Sequence, residues 1–120
     1  MTMTQQTLFI LNDAPYGSER SYNGTRLANA LAKREGHRVR IFLMGDAAAC
    51  ARRGQHPPKG YYCLETMLVA AAHRGAEIAV CGTCMDARGL SEDELCEGSR
   101  RSTLEELADW TEWAERTLVF

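Results

Sequence analysis

Apolar positions fall into short runs that alternate with longer stretches of helical spacing. "QTLFILND" is a compact apolar run closed by polar turn residues, the pattern of a strand buried on both faces. After the loop "APYGSER", Leu27, Ala28, Leu31 and Ala32 recur at helical spacing, and Gly36 suits the left-handed residue that follows a helix end. "RVRIFLMG" predicts a second strand, with Val39, Ile41 and Leu43 alternating against Arg38 and Arg40 before the run turns wholly apolar. Asp46 is placed to cap a short helix over "AAACARR". The proline- and glycine-bearing "GQHPPKG" reads as loop.

A helix is predicted over "YYCLETMLVAAAHRG", with Leu64, Met67, Leu68, Ala71 and Ala72 on one face and Gly75 as its stop. "AEIAVC" predicts the third strand and delivers Cys81 at its carboxyl end. Two capping boxes follow, Ser91 to Glu94 and Ser102 to Glu105, of which the second is the stronger because it opens a helix bearing Leu104, Leu107, Ala108, Trp110 and Ala114. "TLVF" is a terminal strand. Four strands alternating with helices predict an α/β fold: a three-layer α/β/α single domain over residues 1–120 with a mainly parallel sheet. In such sheets ligands bind beyond the carboxyl ends of the strands. The loop from Asn12 to Arg20 and that from Cys81 to Arg88 therefore share one rim.

Composition narrows the function. A net charge of −2, with basic residues scattered among acids, provides no footprint for nucleic acid or for a membrane surface. No apolar stretch approaches the roughly 20 residues of a membrane span, and "MTMTQQ" lacks the features of a signal peptide, so the cytoplasm is the expected location. Five cysteines, an odd number in a reducing compartment, argue against a disulfide framework.

The pair Cys81 and Cys84, in "AVCGTCMDARG", is the candidate chemistry. Zinc needs four ligands, and no second C-x-x-C accompanies the first; Cys63, Cys96, His56 and His73 have no ligand spacing. No metal site is expected. A thioredoxin-like arrangement places its motif after an early strand, not after the third. What remains is a thiol at a helix start, where unpaired N–H groups and the helix dipole favour thiolate and Arg88 adds positive charge. The bland alternative is a pair of inert thiols acting as small hydrophobes. It applies more firmly to Cys50 and Cys63, which fall inside predicted helices. In the first loop, Gly17 and Ser18 lack a nucleotide-binding fingerprint, and Pro15, Tyr16 and Gly17 read as a turn with Ser18 or Ser21 as the cap. None of the histidines has a spaced carboxylate partner.

Taken in order, "NDAPYGSERSYNGTRLANAL", "IFLMGDA", "RGQHPPKGYY", "CGTCMDARGLSEDEL" and "STLEELADWT" resemble the DsrE/DsrF sulfur-relay family over nearly the whole chain. The resemblance implies an α/β fold, a cytoplasmic location and assembly into a homo-oligomer, a hexamer in the branch that carries both cysteines. In relay members a cysteine at a strand end accepts a persulfide and passes it on; counted back from "ARG", that residue matches Cys81. Cys84 has no counterpart in the relay subunits and would be a resolving thiol. On this reading Arg88 and the helix start stabilise the thiolate or persulfide. Asn12, Asp13, Tyr16 and Ser18 line the opposing wall, sulfur donor and acceptor proteins are the partners, and no cofactor is required. The contrary reading is a non-catalytic oligomeric module whose rim holds a small anion and whose cysteines are structural.

Overall fold

The computed structural model describes residues 4–120; the first three residues of the stretch read against a signal peptide lie outside it. Five strands form one parallel sheet, in the order β4-β3-β2-β1-β5. Along the chain the elements are β1 (Gln5–Leu11), α1 (Arg20–Ala32), β2 (His37–Leu43), a 3₁₀ helix (Gly45–Ala51), α2 (Leu64–His73), β3 (Glu77–Cys81), α3 (Gly82–Ala87), a 3₁₀ turn (Glu92–Glu94), β4 (Ser99–Ser102), α4 (Leu104–Trp113) and β5 (Arg116–Val119). The α/β class follows from this alternation. Gly75, at φ 95°, takes the left-handed conformation that ends α2, whereas α1 already ends at Ala32 with Lys33 as its cap, and Gly36, at φ 80°, belongs to the turn that leads into β2.

The sheet separates two cores. On one face Phe9, Leu11, Val39, Ile41, Leu43, Ile78 and Val80 pack beneath α1, α2, α3 and the first 3₁₀ helix. On the other, Leu8, Phe42 and Ala79 pack against Leu107 and Trp110 of α4, the ring of Phe42 meeting Trp110 edge-on. Each fully buried Leu, Ile or Phe contributes about 1.5–3 kcal/mol relative to exposure, so the alternating strand positions account for most of the driving force. Arg40 also belongs to the second face: its guanidinium lies 4.0 Å from the Trp113 ring centroid and pairs with Glu77 at 2.7 Å.

Several local expectations are corrected. The segment Ser99–Ser102 is a strand, not part of a connection, and takes the sheet edge beside β3. Its four residues are Ser, Arg, Arg and Ser, without the apolar character by which strands announce themselves. Alternation still operates there: Arg100 reaches Glu106 of α4, while Arg101 reaches Asp86 of α3. The helix cap at α4 is Thr103, whose hydroxyl accepts from the Glu106 N–H at 3.2 Å; Ser102 instead donates to the Glu106 carboxylate. The capping box that does close is Ser91 with Glu94. Asp46 does not cap: it stands inside the first turn of the 3₁₀ helix, whose cap position is Met44, and its carboxylate pairs with Arg88. Neither Ser18 nor Ser21 caps α1 by the expected bond, since Glu19 holds the cap position and the Ser21 hydroxyl donates to the Asp13 carbonyl. The second helix starts at Leu64, which leaves Cys63 at its cap rather than inside.

The buried stripe of α1 is Ser21, Gly24, Thr25 and Ala28, while Leu27 faces outward. Small residues let this helix approach the sheet closely. A Cβ on Gly24 would stand 2.6 Å from Leu11 Cδ2 and 3.0 Å from the Phe120 ring. Gly24→Ala therefore sets a helix-propensity gain of about 1 kcal/mol against overpacking of about 1–3 kcal/mol. We expect net destabilisation, read as a lower urea midpoint at unchanged slope; a midpoint equal to or above that of the parent would show that the contact relaxes freely.

Candidate functional site

Strand β3 becomes helix α3 without an intervening loop, and Cys81 is the joint, with φ −56° and ψ 118°. Its side chain turns to the α4 face, where it packs half-buried beside the core that also receives Met44 and Ile10. Gly82, Thr83 and Cys84 form the first helical turn, so their N–H groups have no intrahelical acceptors. Thr83 brings its hydroxyl within 3.4 Å of Cys81 Sγ.

Burial is the largest single influence on Cys81 and opposes its ionisation. Hydrogen bonds from the Cys84 thiol, the Thr83 hydroxyl and the backbone of both residues together outweigh it and hold the Cys81 thiol below the ordinary cysteine range. Cys84 moves the other way. Burial raises it first and its bond to Cys81 raises it further, against the Gly45 N–H, which donates to Cys84 Sγ at 3.1 Å, and the charge of Arg88. Of the pair, Cys81 is therefore the more readily ionised thiol and Cys84 the one that holds its proton more tightly.

Two arginine–aspartate pairs flank this turn. Arg88 donates through Nε and Nη2 to Asp46 Oδ1 at 3.0 and 2.8 Å and through Nη1 to the Cys84 carbonyl at 3.1 Å, so its charge bears on Cys84. Arg101 holds both oxygens of Asp86, at 2.7 and 3.0 Å. It feels the negative charge of Asp86 first and, more weakly, that of Glu92 and Cys81. Arg101, Thr83 and Asp46 had no role at the site in the sequence reading; alternation along "SRRS" was the one signal for Arg101, and four polar residues are too few to carry it.

The residues of the first loop divide. Asn12 adjoins the thiol pair through Gly45: its carbonyl oxygen lies 3.7 Å from the position a Gly45 Cβ would take, and its amide donates to the Phe120 carbonyl. Asp13 and Ser18 bond to each other at 2.6 Å, and the Asp13 carbonyl also accepts from the Ser21 hydroxyl. Tyr16 sits at the start of α2, where its hydroxyl donates to Gln55 at 2.7 Å and accepts from the Leu64 N–H at 3.3 Å. These bonds take Asp13, Ser18 and Tyr16 toward α1 and α2, not toward Cys81.

Of the other thiols, Cys50 is buried and pushed up to about 12 by that burial, and Cys96 is raised for the same reason. Cys63 differs. Burial opposes its ionisation, but Thr66, the Tyr16 hydroxyl and the Glu65 N–H more than compensate, and its thiol is lowered. His73 does have a carboxylate partner, Glu97 at 3.1 Å, in an exposed pair unrelated to the rim. Among the described residues no three His, Cys, Asp or Glu side chains converge as metal ligands.

Comparison with known proteins gives this geometry its relatives. The model of the DsrE/DsrF-like family matches residues 5–120. The chain belongs to the DsrE/DsrF-like family. Within it, the chain is 41% identical to the protein YchN of Escherichia coli over 117 residues, which is 97% of this chain and 99% of that one. An uncharacterized protein of Methanopyrus kandleri is 37% identical over 111 residues, covering 92% of this chain and 90% of that one. The crystal structure of the YchN protein from E. coli superposes with a TM-score of 0.92 at 41% identity, over 98% of this chain and all of that one. A Methanobacterium thermoautotrophicum protein of unknown function shares the fold at a TM-score of 0.73 and 17% identity, over 97% and 99% of the two chains. In this chain the family's fold is a parallel sheet whose third strand in the sequence ends at Cys81.

The asymmetry of the two thiols has a direct readout. A lowered thiol keeps more thiolate as the pH falls, so Cys84→Ser, which retains Cys81, should be alkylated faster at pH 6–7 than Cys81→Ser, by roughly threefold or more. Rates followed by peptide mapping check this; faster labelling of the protein that retains Cys84 reverses the assignment.

Proposed function

We propose that the protein carries or exchanges sulfane sulfur on Cys81, with Cys84 as the resolving thiol. The observation that carries the reading is the convergence of the Thr83 hydroxyl, at 3.4 Å, and the first-turn backbone on Cys81 Sγ, with Cys84 beside it, which makes Cys81 the more readily ionised of two adjacent thiols at a helix start. A thiolate there is a nucleophile toward a persulfide donor, R–S–SH. Cys81 Sγ forms a bond to the terminal sulfur, the donor's S–S bond breaks, and the donor departs as its thiolate. Attack by an acceptor thiolate on the same terminal sulfur returns Cys81 to its starting state. Alternatively Cys84 loses its proton and attacks Cys81 Sγ, which expels hydrosulfide and leaves a Cys81–Cys84 disulfide for an external thiol to reduce. The backbone N–H groups of Thr83 and Cys84 stabilise the thiolate before transfer and the persulfide anion after it. Arg88 steadies the Cys84 side of the pair.

The proposal includes a single domain, a reducing cytoplasmic setting, protein donors and acceptors, and a homo-oligomer, a hexamer as the family resemblance implies. No helix among the described residues is long and apolar enough to cross a membrane. Support for assembly comes from apolar side chains left uncovered: Tyr61 is 71% exposed, Leu104 68% and Val119 64%. Asn12 is proposed as the first-loop wall beside the thiols, and Asp13, Tyr16 and Ser18, turned toward α1 and α2, as the outer part of that loop's rim. Of these, Asn12 has the closest connection to the thiols.

Incubation with a low-molecular-weight persulfide, followed by intact-mass and peptide mass spectrometry, should place a 32-Da increment on Cys81. Cys81→Ser should lose it, and Cys84→Ser should retain it longer than the parent does. An increment that survives Cys81→Ser, or that resides on Cys63, would overturn the assignment. Light scattering coupled to size exclusion should show an assembly larger than a dimer at micromolar concentration, whereas a stable monomer would remove the oligomer from the proposal.

A further inference from the structure

We propose that Arg101 is a positioning residue for Cys81: its guanidinium lies over the start of α3 at Gly82, which leaves room for it, and its ion pair with Asp86, further along the helix, ties α3 to the sheet edge. The inference rests on the sulfur-carrier reading above and extends it to a residue outside the cysteine motif.

Three observations converge. First, α3 has six residues, too few to be stable as an isolated helix, so the turn bearing Thr83 and Cys84 must be held from outside. The two arginine–aspartate pairs do this from opposite sides: Arg88 ties α3 to the first 3₁₀ helix through Asp46, and Arg101 ties it to β4 through Asp86. Second, Arg101 adjoins the reactive position in the sheet. Cys81 is in register with Ser102, and Val80 with Arg101. Third, the guanidinium lies over the helix start itself. A Cβ on Gly82 would stand 2.9 Å from the Cζ, Nε and Nη2 of Arg101. Gly82 has no positive φ to demand glycine, so the space above it is the demand.

An arginine on an edge strand has an ordinary alternative use, as a charge that discourages pairing with another chain. Such a side chain would extend into solvent. Here it turns back across α3 and holds both carboxylate oxygens in a fork. Its neighbour Arg100 makes the corresponding fork on the α4 face, to Glu106, and so ties β4 to α4 rather than to α3. The function of the Arg101 clamp is to keep the Thr83 and Cys84 donors aimed at Cys81 Sγ.

The test is the pH profile of Cys81 alkylation, resolved by peptide mapping, in the parent and in Arg101→Gln, Arg101→Lys, Gly82→Ala and the double variant Gly82→Ala/Arg101→Gln. Arg101→Gln should slow Cys81 at pH 7 by roughly two- to fivefold, the scale of an exposed ion pair, and should move the profile to higher pH. Lysine keeps the charge but not the fork, so it should restore part of the rate. Gly82→Ala displaces a flexible side-chain end while favouring the helix, and should reproduce the Arg101→Gln profile. The double variant should add nothing further, as expected of two changes that break one contact. Should Arg101→Gln fold poorly, the near-isosteric Asp86→Asn gives the same readout. Selective Cys81 reactivity with a profile unmoved by Arg101→Gln and Gly82→Ala overturns this inference alone. A parent in which Cys81 reacts no faster than Cys84 overturns the sulfur-carrier reading with it.

Discussion

Parallel pairing of β1, β2 and β3 is the constraint on which the rest depends. Because the strands run the same way, about 4.8 Å apart, the segments that leave them emerge side by side on one rim: Asn12 after β1, Met44 and Gly45 after β2, Gly82 after β3. This juxtaposition lets the Gly45 N–H reach Cys84 Sγ and sets the Asn12 carbonyl beside Gly45. Register matters as much as direction. A slip of one residue in β3 would turn Cys81 to the opposite face and bring Val80 out of its core. Packing of Ile78 and Val80 under the helices opposes that slip, so core burial sets the orientation of the Cys81 thiol.

Local electrostatics at the rim rest on small energies applied at short range. Cys81 is half-buried, which alone would favour the neutral thiol, and its ionisation depends on donors that converge from a single helical turn. The ion pairs that hold that turn are exposed and each contributes little to global stability. Their value is directional. Arg88 and Arg101 approach α3 from opposite sides, and each is held by one carboxylate from the chain, which keeps both cations near the thiols.

The two faces of the sheet are unequally covered. Four helical elements lie over one face, whereas α4 alone crosses the other, leaving Met44 and Ile10 half-buried where Cys81 emerges. Parallel sheets are ordinarily covered on both sides. The Cys81 side chain therefore borders apolar surface as well as its hydrogen-bond donors.

The alternation of apolar runs with helical spacing determined the α/β class, the position of Cys81 at a strand end and the glycine stop at Gly75, because each is written in contiguous residues. Tertiary structure decided what depends on distant partners. Strand β4 exists because β3 offers it a ladder, not because "SRRS" favours extension. Asp46 reads locally as a cap but is drawn to Arg88, 42 residues away in the chain. Tyr16, within the rim loop, is pulled to Gln55 and the start of α2. Arg101 reaches Asp86 across 15 residues only once both strand and helix are in place. Periodicity records which face of an element is buried; it holds no record of which exposed charge will meet which, since that is set by how the faces pack.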